Sequence, residues 1–61
     1  MLQVKDIDNK NWKSFKYMVV KIGNDRFLHY QSVYNDFNVA NRASKTIRNG
    51  YLVMTFEVEA I

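Results

Sequence analysis

No cysteine stands anywhere in the 61 residues, so neither a disulfide nor a thiolate-held metal can staple the chain together. A chain this short buries a smaller share of its surface than a larger domain does. Its fold therefore has to come from apolar burial, helped where needed by self-association or a partner. The raw material is present. The chain is 48% hydrophobic and 25% charged, the composition of a globular domain rather than a disordered tail. With no proline, two isolated glycines and no internal repeat, the expectation is one complete small domain over residues 1–61, opening at its own Met1.

Hydropathy patterning gives the order of elements. Leu2–Lys5 reads as a short strand leading into a polar turn at Asp8–Asn11, so residues 1–11 are either a strand or a loosely ordered arm. Trp12–Ile22 reads as a strand, rich in β-branched and aromatic residues on both parities. Gly23-Asn24-Asp25 has turn chemistry, and Arg26–Gln31 returns as the second arm of a hairpin. Ser32, Asn35 and Asp36 are each competent N-caps for a helix over residues 36–49, with Gly50 placed to take a positive φ at its end. In that helix Val39, Ala40, Ala43 and Ile47 share one face, bordered by Phe37.

Tyr51–Ala60 then alternates cleanly, with Leu52, Met54, Phe56, Val58 and Ala60 on one side and Val53, Thr55, Glu57 and Glu59 on the other. The predicted class is α+β: a small antiparallel sheet made of a hairpin and a closing strand, with an optional N-terminal strand and one helix packed on one face. The expected helix-facing set is Met18, Val20, Ile22, Leu52, Met54, Phe56 and Val58. Phe15, Tyr17, Val19, Tyr51 and Val53 would then point away, covered by Leu2, Val4, Ile7 and Trp12 or left open as an interface.

Catalytic patterns fail one by one. The missing cysteine removes thiol nucleophiles, and His29 is the only histidine, with no serine in a nucleophile elbow. On a strand beside Tyr30 it reads as a half-exposed structural histidine. Glu57 and Glu59 would project from one strand face about 7 Å apart, a separation like that of some acid–base pairs, but a solvated strand face is the favoured reading. Asp6-x-Asp8 begins like a calcium loop, then has Asn11 where glycine is needed and Tyr17 where glutamate is needed. Neither glycine belongs to a phosphate-binding loop. The expectation is a non-enzyme without cofactor or metal.

Charge offers the stronger lead. The net charge is +3, with +3 in residues 1–22, −1 in 23–36, +3 in 37–50 and −2 in 51–61. A mimic of DNA would be acidic, and this chain is not. The helix face opposite the apolar one collects Asn38, Asn41, Arg42, Lys45 and Arg48, joined by Tyr34 if the helix starts early. These six residues are the candidate partner-binding set. Arg and Tyr favour protein interfaces, while Arg, Lys and Asn also suit phosphates and bases. Phe15, Tyr17 and Tyr51 form a second candidate interface on the sheet. Pairing through an edge strand, Tyr51–Ile61 or the N-terminal one, would give a homodimer or an assembly. The longest apolar stretches, Tyr17–Val20 and Tyr51–Met54, are too short to span a bilayer, and Met1–Asn11 lacks the apolar run of a signal peptide. A cytoplasmic location without membrane contact is expected.

The segment KSFKYMVVKIGNDRFLHYQSVYNDFNVANRASKTIRNGYLVMTFEVE, Lys13–Glu59, resembles small bacteriophage early proteins of the host-takeover kind in length, element order and composition. Seven Asn and six Lys with no Pro or Cys fit the AT-rich coding typical of many phages. The resemblance implies a small protein that binds and modulates a larger host factor in the host cytoplasm. It carries no motif and assigns no residue. A basic nucleic-acid-binding regulator is the alternative reading, and a self-assembling accessory component the third.

Overall fold

The computed structural model describes residues 1–61. Five strands and one helix follow the chain: β1 (Leu2–Lys5), β2 (Tyr17–Ile22), β3 (Leu28–Tyr34), α1 (Phe37–Lys45), β4 (Gly50–Met54) and β5 (Val58–Ala60). Trp12–Ser14 and Thr55–Glu57 form single 3-10 turns. The α+β class stands, with one helix on one face of a small sheet.

The sheet is mixed rather than wholly antiparallel. Its order is β4-β2-β3-β1-β5, with β2 antiparallel to β3 and β4, and β1 parallel to both β3 and β5. The N-terminal strand falls where expected and is an interior strand, not a loose arm. β2 begins only at Tyr17, five residues later than its composition suggests. The intervening residues are taken up by the Trp12–Ser14 turn, closed by Trp12 N–H to Asn9 O (3.2 Å) and Ser14 N–H to Asn11 O (2.9 Å). The hairpin's second arm is Leu28–Tyr34, not Arg26–Gln31, because the connection runs longer and Arg26, rather than Gly23, adopts positive φ (67°).

The expected strand Tyr51–Ala60 is broken. Thr55–Glu57 turns out of the extended conformation, and the two halves lie at opposite edges of the sheet. Thr55 accounts for the break: it is buried, its N–H donates to Lys16 O (3.1 Å) and its hydroxyl donates to Phe15 O. In a flat sheet the edge strands would stand about 19 Å apart, whereas a 3-10 turn advances only about 2 Å per residue. The sheet must therefore curl towards a barrel. The core confirms the curl, since Val58 on β5 packs with Met18 and Val20 on β2.

Register settles the two faces. Met18 opposes Val53 and Val33, and Val20 opposes Tyr51 and Tyr30, so these side chains share the concave face. Val4, Trp12 and Val58 complete its buried cluster, with Ile7 and Leu28 against it. Tyr17 opposes Met54 and Val19 opposes Leu52 on the convex face, where α1 lies across β2, β3 and β4. The expected assignment is thus inverted for β2 and holds for β4: the helix covers Val19, not Met18, Val20 and Ile22, and Leu52 and Met54 sit with Val19, while Val58 joins the opposite face and Phe56 is exposed on the Thr55–Glu57 turn. Of the two alternatives for the face away from the helix, coverage is the one observed: Val4, Ile7 and Trp12 pack there and Leu2 stays largely exposed, but the residues covered are Met18, Val20 and Val53, only the last of which was expected on that face. Each well-buried side chain of this kind contributes about 1.5–3 kcal/mol.

Candidate binding surface

Helix α1 begins where Asp36, in extended conformation, accepts a hydrogen bond from Val39 N–H (3.1 Å). Asp36 is thus the N-cap among the three candidates. The helix lies close to the sheet because its inner residues are small. Ala40 and Ser44 are buried, one turn apart, above the fully buried Val19. At the entrance Phe37 meets Tyr17 edge to face, centroids 5.7 Å apart. At the exit Gly50 passes under the last turn, where a side chain would run into the Ser44 carbonyl and Ile47.

The helix ends earlier than expected, at Lys45, and Asn49 rather than Gly50 takes the positive φ (60°). The required property of Gly50 is its missing side chain. The helix is also rotated relative to the expected apolar face. Val39 is 43% exposed, and the inner line runs through Ala40, Ser44 and Ile47, with Phe37 at its edge.

The six candidate partner-binding residues are thereby divided. Asn38, Arg42 and Lys45 are exposed on the outer face of α1, alongside Val39 and half-exposed Phe37. Asn41 turns partly inward, and its carbonyl accepts the Ser44 hydroxyl (2.8 Å). Tyr34 lies on β3 opposite Tyr17, half-buried. Arg48 lies beyond the helix, beside Lys21 at the end of β2. Phe15, Tyr17 and Tyr51 do not assemble: Tyr51 is exposed on the concave side, Tyr17 is half-buried on the convex side under Phe37, and Phe15 precedes β2.

Three of the four aspartates are engaged within the fold. Asp36 is used as a helix cap, and Asp6 and Asp25 are both held by His29 at the other side of the hairpin. Nδ1 of His29 lies 2.7 Å from Asp6, and Nε2 lies 2.9 Å from Asp25. Lys5 adds an ion pair to Asp25 at 3.6 Å and covers the Phe27 ring at 4.3 Å. Hydrogen bonding of the His29 ring to Asp25, then to Asp6, raises its pKa, and the bond to Asp25 is the main reason that carboxyl falls to about 2. Imidazolium, which donates through both nitrogens, is the form this geometry selects.

Arg42, Lys45, Arg48 and Lys21 enter no ion pair. Nothing in the sequence marked Lys21, since its place at the helix exit depends on β2 pairing with β4. The His29 cluster was equally hidden, because Asp6 reaches it only through the parallel pairing of β1 with β3. Glu57 and Glu59 stand on a 3-10 turn and on β5, so the spacing that would make them a pair on one strand is absent. No set of three or more acidic, histidine or cysteine side chains is gathered in a form that would hold a metal ion. No helix is long and apolar enough to cross a membrane. No family model, curated protein or solved structure matches the chain.

Proposed function

We propose that this chain is a non-enzymatic binding protein, working in the cytoplasm, that docks the outer face of α1 onto an acidic surface of a larger protein and modulates it. One observation carries the reading. Arg42 and Lys45, without acidic partners, stand on the same exposed face as Asn38 and Val39, with the Phe37 ring at its border. Free cations beside exposed apolar groups make the mixed patch that protein interfaces use, with Arg and aromatic anchors carrying much of the energy. The layout likeness to phage early proteins is consistent with a host factor as the partner.

The test is affinity capture with the wild-type chain and with Arg42→Glu/Lys45→Glu. Loss of a specific partner, with an unchanged circular dichroism spectrum, supports the reading. Unchanged capture moves the interface to the sheet. Arg42→Gln/Lys45→Gln serves as a companion that does not oppose the helix dipole. The nucleic-acid reading is examined by fluorescence anisotropy on labelled DNA and RNA. Binding there with a log–log salt slope of about −2 to −4 would replace the protein partner with a phosphate backbone.

A further inference from the structure

The exit of α1 and the tip of the β2–β3 hairpin enclose a hollow of about 370 Å³, lined by Lys21, Ile22, Gly23, Asn24, Arg48 and Asn49. Its two charged residues are both cations, neither is in an ion pair, and no acid lines it. Asp25, one residue on from Asn24, is committed to His29 and Lys5. The walls are fixed to each other. Ile22 N–H donates to Asn49 O (3.2 Å), and Gly23 N–H donates to Phe27 O (2.9 Å). None of the turn hydrogen bonds uses the backbone N–H of Asn24, Arg48 or Asn49.

We propose that this hollow is a phosphate-binding site, in which Lys21 and Arg48 supply the charge and the N–H groups around Asn24 and Asn49 supply further donors. A guanidinium offers a planar fork of donors that matches phosphate oxygens, and an ammonium in the same hollow adds a compact charge. Backbone N–H groups in tight turns are common oxyanion partners for the same reason. The left-handed conformation of Asn49 (φ 60°) places such a turn beside Arg48. The site is separate from the α1 face, so its existence does not depend on the proposed protein partner.

The experiment uses the whole 61-residue chain, uniformly labelled with nitrogen-15 and titrated with inorganic phosphate against chloride at constant ionic strength. Expected are saturable amide shifts at Lys21, Asn24, Arg48 and Asn49 with phosphate only. Lys21→Gln and Arg48→Gln are each expected to weaken binding about tenfold or more, whereas Lys45→Gln leaves it nearly unchanged. All three side chains are exposed, so the variants keep the wild-type spectrum elsewhere. A second arm replaces inorganic phosphate by a short single-stranded oligonucleotide. Tighter binding at the same four amides identifies a polymer phosphate as the source, and weaker binding there identifies an isolated phosphate group. No saturable shift at these amides up to about 20 mM phosphate, or shifts that Arg48→Gln leaves intact, overturns the proposal.

Discussion

His29 on β3 reaches across to Asp6, the residue that follows β1, and their side chains meet at 2.7 Å. The two strands share only the pairs Val4–Leu28 and Lys5–His29, so this contact extends a short parallel ladder by one side-chain bond. Asp6 adopts positive φ (62°) where the chain leaves the sheet. The opposite ring nitrogen holds Asp25, so one imidazolium fastens the end of β1 to the hairpin tip.

The first prediction concerns pH. Because the folded-state pKa of His29 is raised above 6.5, the stabilisation is fully present below that value and is lost as pH rises through the higher folded-state value. Asp25 works in the opposite sense: its contribution is present above 3.8 and is lost as pH falls through about 2. The melting temperature should therefore decline as pH rises through and above neutrality. His29→Ala should remove that slope, and an equal slope in both proteins would exclude the histidine as its source.

The second prediction separates the two glycines. Gly50→Ala places a methyl group against the Ser44 carbonyl, which is backbone and cannot move aside, and should cost about 1–3 kcal/mol in chemical denaturation. Gly23→Ala meets the His29 ring at 2.7 Å, a side chain that can rotate. Its expected signature is a weakened pH slope rather than a large loss of stability.

The third prediction tests the rotation of the helix. Val39→Ser, at an exposed position, should change stability by less than about 0.5 kcal/mol. Ala40→Leu, one residue later and fully buried against the sheet, should cost about 1–3 kcal/mol. Urea unfolding of the two variants decides it, and equal effects would contradict the observed face.

Much of the architecture could be read from residue patterns, and the parts that could not have identifiable physical causes. Leu2–Lys5, the hairpin tip and the Asp36-capped helix all carry local signals: alternation, turn residues and a capping carboxylate. The faces were harder, because β2 is apolar on both sides and two interruptions shift the period of its neighbours. β3 carries a bulge at Gln31, so its inward residues Leu28, Tyr30 and Val33 do not keep a period of two. In the last segment the alternation continues straight through Thr55–Glu57, although the backbone does not. Of the candidate surface, Asn38, Arg42 and Lys45 followed from helical periodicity alone. Lys21 and the Asp6–His29–Asp25 cluster depend on strand pairings that no local pattern encodes.

A fourth prediction follows from Thr55. Thr55→Val keeps the shape but removes the hydroxyl that donates to Phe15, leaving a carbonyl short of a partner in a partly buried place. A loss of about 1–3 kcal/mol is expected in urea unfolding. Proteolysis should become faster at the joint between β4 and β5.

The placement of β1 between β3 and β5 has a consequence for biosynthesis. Val58–Ala60 pairs with Leu2–Val4, and the Ile61 N–H donates to Val4 O (3.1 Å), so segments more than fifty residues apart in the chain are neighbours in the sheet. Such distant pairing is closed late, because its loop entropy is spent before its contacts form. During synthesis the hairpin and helix precede β5, and Val4 and Met18 lack one wall of their core until Val58 is available. A chain interrupted before that residue therefore stays open to proteases and chaperones, however well its hairpin and helix have formed.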